Sequence, residues 1–190
     1  VPVISEIEFA SRYTDAKLIF ITGSNGKTTT TLLTHHILKT AGLNAGLAGN
    51  VGNSFALKVA NDSHDIYVLE ISSFQLDDIQ TFRPDVAILT NITEDHLDRY
   101  DYNFENYIRA KFNIVKNQTA ADHFIYCEDD PVTMNYINHF PFNSNSLPFT
   151  MNRELPKGAY ISSSLMTVQT GDKLSMSIYD FALKGKHNQY

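Results

Sequence analysis

The stretch Thr22-Gly23-Ser24-Asn25-Gly26-Lys27-Thr28 constrains the fold of this chain more than any other. It follows Lys17 to Thr22, a β-branched and aromatic run of strand length. It opens Thr28 to Ala41, where Leu32, Leu33, Ile37 and Leu38 recur at helical spacing before Gly42. A strand, a glycine turn and a helix in that order aim backbone N–H groups and the positive end of the helix dipole at one point, which makes an anion site. Gly23 and Gly26 permit conformations and close approaches that a Cβ forbids, Lys27 can neutralise terminal phosphate oxygens, and the Thr28 hydroxyl can ligate Mg²⁺. The general P-loop pattern needs a glycine five residues before Gly26, where this chain has Ile21, so the loop is a shortened variant. Thr28 to Thr31, Thr29 among them, are poor interior helix formers, and their crowding at the helix start suits capping and ligation.

The rest of the pattern extends that unit. Apolar runs of strand length lie at Ile66 to Ile71, Asp85 to Thr90 and His123 to Cys127, with room for helices near residues 54–61 and 104–117. Asp130-Pro131 reads as an N-cap and a first-turn proline for a helix over Val132 to His139. Repeated β-α alternation predicts an α/β fold, a mainly parallel sheet with helices on both faces. Residues 143–183 alternate polar and apolar in short pieces punctuated by Pro148, Pro156, Gly158 and Gly171, which predicts antiparallel strands at the sheet edge. A length of 190 residues suits one domain with one core. Residues 1–16 are expected to be the end of an interdomain linker and 17–190 the domain itself. Val1-Pro2-Val3 and the run Gly185 to Tyr190 both look like cut ends.

Composition removes several classes. The net charge is −6 and the fifteen Lys and Arg are scattered, which argues against a nucleic-acid surface. Cys127 is the single cysteine, so no internal disulfide forms, and its strand setting makes it structural. No run of eighteen apolar residues or signal-peptide core is present, so no membrane insertion is expected and the chain reads as cytoplasmic.

Two further segments carry candidate chemistry. Glu70 stands at the C-terminal end of a buried strand, the edge at which open α/β sheets bind ligands, and a carboxylate there beside a triphosphate is a natural Mg²⁺ ligand. The next strand delivers Asn91-Ile92-Thr93-Glu94-Asp95-His96-Leu97-Asp98-Arg99-Tyr100 to the same edge. Of these His96 is the better metal candidate, while Glu94 and Asp98 suit a solvated loop. On the helix after it the apolar stripe is Phe104, Tyr107, Ile108, Phe112 and Val115, and Lys111 falls within that stripe. Either Lys111 snorkels to water, or it lines the active site with a pKa lowered by desolvation.

Gly23 to Thr28, Gly49-Asn50-Val51-Gly52, Leu69-Glu70-Ile71-Ser72-Ser73-Phe74-Gln75-Leu76, Asn91 with Thr93 to Tyr100, and Tyr107 through Lys111 resemble consecutive motifs of the Mur ligases, in family order. The Ser-Ser-Phe-Gln-Leu and Thr-Glu-Asp-His-Leu-Asp-Arg-Tyr runs look like the D-glutamate-adding branch. Other Mur ligases and folylpolyglutamate synthase share the loop and the Asp-His pair but differ around them. The resemblance implies the central ATP-binding domain of an amide ligase of peptidoglycan precursor synthesis. Its substrates would be ATP, UDP-N-acetylmuramoyl-L-alanine and D-glutamate, joined through an acyl phosphate. At matching positions it implies ATP contacts from Gly23, Ser24, Asn25, Gly26, Lys27, Thr28, Thr29 and Asn91, with Asn188 of the Gly185 to Tyr190 motif near adenine. It implies one Mg²⁺ on Thr28 and Glu70, a second on His96 and a carbamylated Lys111, and substrate contacts from Asn50 and Ser72. It also implies an N-terminal domain for the UDP sugar and a C-terminal domain that closes over the nucleotide. Taken without the resemblance, the loop also allows an ATPase or nucleotide kinase, or a binding scaffold with no chemistry.

Overall fold

The structure, a computed structural model, describes residues 3–181 and 183. Among them nine strands form one sheet: β1 (Lys17–Thr22), β2 (Ala45–Gly49), β3 (Ile66–Glu70), β4 (Val86–Leu89), β5 (His123–Cys127), β6 (Asn145–Thr150), β7 (Gly158–Ser162), β8 (Leu165–Gln169) and β9 (Lys173–Ser177). Their spatial order is β2-β3-β1-β4-β5-β6-β7-β8-β9. The helices are α1 (Glu6–Ser11), α2 (Lys27–Thr40), α3 (Phe55–Asn61), α4 (Ser73–Asp77), α5 (Phe104–Phe112) and α6 (Pro131–His139). A 3-10 turn at Asn113–Val115 prolongs α5, and another at Leu97–Tyr100 follows the loop after β4.

β1 lies inside the sheet, and Phe20, Ile21 and Thr22 are all fully buried, which explains why the run is apolar without alternation. From β1 the chain leaves through α2 toward β2 and β3. From β4, the neighbour of β1 on its other side, it leaves toward β5. The loops after β1 and β4 therefore diverge at a topological switch point, where open parallel sheets form their ligand crevice.

The antiparallel edge expected in the C-terminal third is present, but it begins later than residue 143. β6 pairs parallel to β5, because α6 returns the chain in a β-α-β crossover, and β7 also enters parallel through a short register of Phe149 with Ala159 and Thr150 with Tyr160. Only β7, β8 and β9 form the antiparallel edge. The β7–β8 turn uses Ser163 and Ser164 at φ 51° and 66°, the left-handed pair that a two-residue hairpin needs, without glycine.

Two helices depart from a simple apolar-in pattern. On α2 the leucine and isoleucine marking the helix face outward, with Leu32 and Leu33 exposed and Ile37 56% exposed, while Thr31 is fully buried. α1 lies within residues 1–16, yet Ile7 and Ala10 belong to the core. Its fully buried Glu8 carboxylate accepts the backbone N–H groups of Gln80, Thr81 and Phe82 at 3.2, 3.1 and 2.8 Å, the Thr81 hydroxyl at 2.6 Å and Arg12 at 2.8 Å.

Candidate active site

The glycine loop is held from behind. Gly23 has φ 150° and a Cβ there would collide with the Thr90 hydroxyl, so the segment leaving β4 can approach only a glycine. Gly26 takes φ 82° as the N-cap of α2 and leaves the helix N-terminus without a side chain over it. Asn25 is bound on both edges. Its N–H donates to Asn91 Oδ1 at 3.0 Å, and its carbonyl accepts Thr90 Oγ1 at 2.7 Å and Asn91 Nδ2 at 3.1 Å.

Ser24 is 7% exposed, and its Oγ donates to the Thr93 carbonyl and accepts the Thr93 N–H, both at 2.9 Å. That spends its one proton, so Tyr107 Oη, 3.0 Å away, donates to it. The Ser24 hydroxyl thus ties the loop to the segment after β4 and to α5. Thr90, Thr93 and Tyr107 went unrecognised in the sequence as parts of this cradle. Tyr107 had one signal, a phenol on the inward face of α5, since a buried hydroxyl needs a partner.

Lys27 Nζ donates to the carbonyls of Gly23 and Ser24 at 3.0 and 2.9 Å. Thr28 Oγ1 donates to Glu70 Oε2 at 2.7 Å, which brings the ends of β1 and β3 to one point. A hydroxyl and a carboxylate meeting there form a hard oxygen set that fits Mg²⁺, whose remaining ligands are phosphate oxygens and water. Gly49, at φ 95°, lies so close to the Glu70 carbonyl that a Cβ would clash. Asn50 N–H donates to that carbonyl at 3.0 Å and its side-chain amide donates to Ser72 Oγ, so Asn50 and Ser72 are in contact beside Glu70. A cleft of about 790 Å³ runs from Asn25, Gly26, Thr29 and Thr30 along Leu33 to Asn91, with room for a nucleotide.

Lys111 does not snorkel. It is 1% exposed, its Nζ donates to the Gly23 carbonyl at 2.7 Å, and it lies 4.6 Å from the Tyr107 ring centroid. Burial, with the Lys27 ammonium beside it, lowers its pKa to about 7. His96 behaves differently. It takes φ 49°, its side chain is 72% exposed, and Nε2 lies 3.5 Å from Asp95 Oδ2. No hydrogen bond joins it to Lys111 among the described residues, and no group of three or more His, Cys, Asp or Glu is arranged as a metal cluster there. Asn188 and the Gly185 to Tyr190 motif lie outside the described residues.

Residues 21–190 match the Mur ligase middle domain. This chain belongs to the Mur ligase family. It is 52% identical over 189 residues to the UDP-N-acetylmuramoylalanine–D-glutamate ligase of Bacteroides fragilis, a match covering 100% of this chain and 43% of that protein. It is 51% identical over 189 residues to the enzyme of the same name from Christiangramia forsetii, covering 99% of this chain and 42% of that protein. The chain therefore spans less than half the length of these Mur ligases. Among solved structures, a UDP-N-acetylmuramoyl-L-alanyl-D-glutamate–2,6-diaminopimelate ligase superposes with a TM-score of 0.71 at 18% identity, over 96% of this chain and 44% of that one. MurF from Thermotoga maritima in complex with ADP gives 0.65 at 21% identity, over 90% and 43%. At those identities they bear on the fold alone, and they share the Mur ligase fold. No helix among the described residues is long and apolar enough to cross a membrane.

Proposed function

We propose that the protein carrying this domain is a cytoplasmic ATP-dependent ligase that joins D-glutamate to UDP-N-acetylmuramoyl-L-alanine in peptidoglycan precursor synthesis. The observation that carries the reading is the convergence of Lys27, Thr28 and Glu70 on the glycine loop at the switch point of the sheet. The names of the relatives, about half identical along the whole chain, supply the substrates.

In this reading the loop N–H groups and Lys27 hold the ATP phosphates, Lys27 exchanging its present carbonyl partners for phosphate oxygens. Thr28 and Glu70 would hold Mg²⁺, and His96 with a carbamylated Lys111 a second one. Bound there, the metal offsets the negative charge gathered as two anions approach. The carbamate would form when the neutral Lys111 amine attacks CO₂, making an N–C bond and releasing a proton. Asn50 and Ser72 position the acid substrate, and Asn188 contributes to the adenine site. A carboxylate oxygen of that acid attacks the γ-phosphorus, and the bond to ADP breaks. The D-glutamate amine then attacks the carbonyl carbon, phosphate departs with the C–O electron pair, and the amine gives up a proton. No protein nucleophile is needed, because positioning and electrostatics accomplish phosphoryl transfer.

Product analysis of the full-length protein tests this. A ligase releases ADP and amide only when both the acid and the amine are supplied; ADP formed with one acceptor alone would indicate a kinase, and none at all a scaffold.

A further inference from the structure

Phe74 and Arg99 form a pair that the steps above leave unused. Phe74 lies on α4, four residues after Glu70, and its large ring is 41% exposed at the ligand edge. Arg99 lies on the 3-10 turn, three residues after His96, with its guanidinium carbon 4.9 Å from the Phe74 ring centroid. That is a cation–π contact, which orients a guanidinium while leaving its in-plane donors free. Among the described residues Arg99 makes no ion pair. Asp77, whose charge Arg99 reaches, instead accepts the Tyr100 hydroxyl at 3.1 Å.

The turn that carries Arg99 is itself imposed. His96 before it and Asp101 after it take φ 49° and 54°, left-handed conformations that residues with a Cβ adopt when their surroundings dictate them. Tyr100 is 7% exposed, packs edge-on against Tyr107 and anchors the turn to α4 through Asp77. A strained, anchored turn thus presents a fork without an ion-pair partner among the described residues on an aromatic shelf, on the segment that follows Glu70.

We propose that Arg99, oriented by Phe74, anchors a carboxylate of a substrate. A guanidinium fork matches a carboxylate in two parallel hydrogen bonds, and the ATP phosphates already have the glycine loop. The inference rests on the ligase reading, in which two reactants carry a carboxylate: the acid that is activated and the amino acid that is joined.

The test is steady-state kinetics of the full-length protein, with each KM measured separately. Arg99→Gln should raise the KM of one carboxylate substrate roughly ten- to a hundredfold, the loss expected for a charge-assisted pair, while the KM for ATP stays within about twofold. Arg99→Lys, which keeps charge without the fork, should fall between, and Phe74→Leu should raise the same KM by a smaller factor. Which KM moves identifies whose carboxylate is held. Unchanged KM values for both acids, or an equal rise for ATP, would overturn the proposal. An active parent with unaltered Arg99→Gln kinetics refutes the anchor alone, whereas a parent that makes no amide refutes the ligase reading.

Discussion

Lys111 shows how one residue can be both legible and incomplete in a sequence. Its place in the apolar stripe of α5 marked it as unusual, and its burial follows from that stripe. Its partner does not: the Gly23 carbonyl is 88 residues away, and no local pattern encodes that contact. Burial, then the Lys27 charge, holds its pKa near 7 against an ordinary 10.5, so the folded state binds the proton less tightly than the unfolded chain. Stability should therefore rise with pH between about 7 and 10.5, and Lys111→Met should flatten that rise in urea denaturation at a series of pH values. In the full-length protein Lys111→Ala should lose most ligase activity and regain part of it with added acetate or formate occupying the vacated space. ¹³C-bicarbonate should give a carbamate NMR signal that the variant lacks. Near-normal activity of the variant without added carboxylate would remove Lys111 from the second metal site.

At the scale of elements, β1, β3, β4, β5, α2 and α5 followed from their apolar periods and α6 from its Asp130-Pro131 cap, whereas β2, α4 and the direction of β6 and β7 did not. Alternation within a strand is the same whichever way its neighbour runs; direction is set by the crossover, here α6. The role of α1 was hidden for a related reason, since an acidic six-residue helix looks like surface. Burial alone would raise the pKa of Glu8, but the Thr81 hydroxyl, Arg12 and the N–H groups of Phe82 and Gln80 prevail and hold it at about 2, against an ordinary 4.5. A carboxyl depressed in the folded state stabilises it above the unfolded pKa, and that stability drains away as pH falls from about 4.5 toward 2. Glu8→Gln puts an amide N–H among donors that need an acceptor. It should cost roughly 3 kcal/mol, or about 6 to 12 °C in Tm, at neutral pH, and the variant's stability should depend less on pH below 4.5. Equal Tm values for the two proteins would show that α1 is not fastened by this carboxylate.

For the whole molecule, the α/β class was readable from the β-α alternation, and the binding edge from the glycine loop and Glu70. The strand order was not readable, because it depends on which way each helix carries the chain. That order has a consequence for cooperativity. β1 lies between β3 and β4, and each of the three strands ends in a segment that takes part in the site: the glycine loop, Glu70 and Asn91. A nucleotide bridging those ends would bind the folded sheet and not the unfolded chain, so its free energy opposes separation of three adjacent strands at once. Amide hydrogen exchange should therefore slow along the interiors of β1, β3 and β4 when ATP and Mg²⁺ are added, far from any atom that touches the ligand, and β8 and β9 should exchange as before. Lys27→Ala should abolish the slowing, and protection confined to the loop amides would mean that nucleotide occupancy is not transmitted into the sheet.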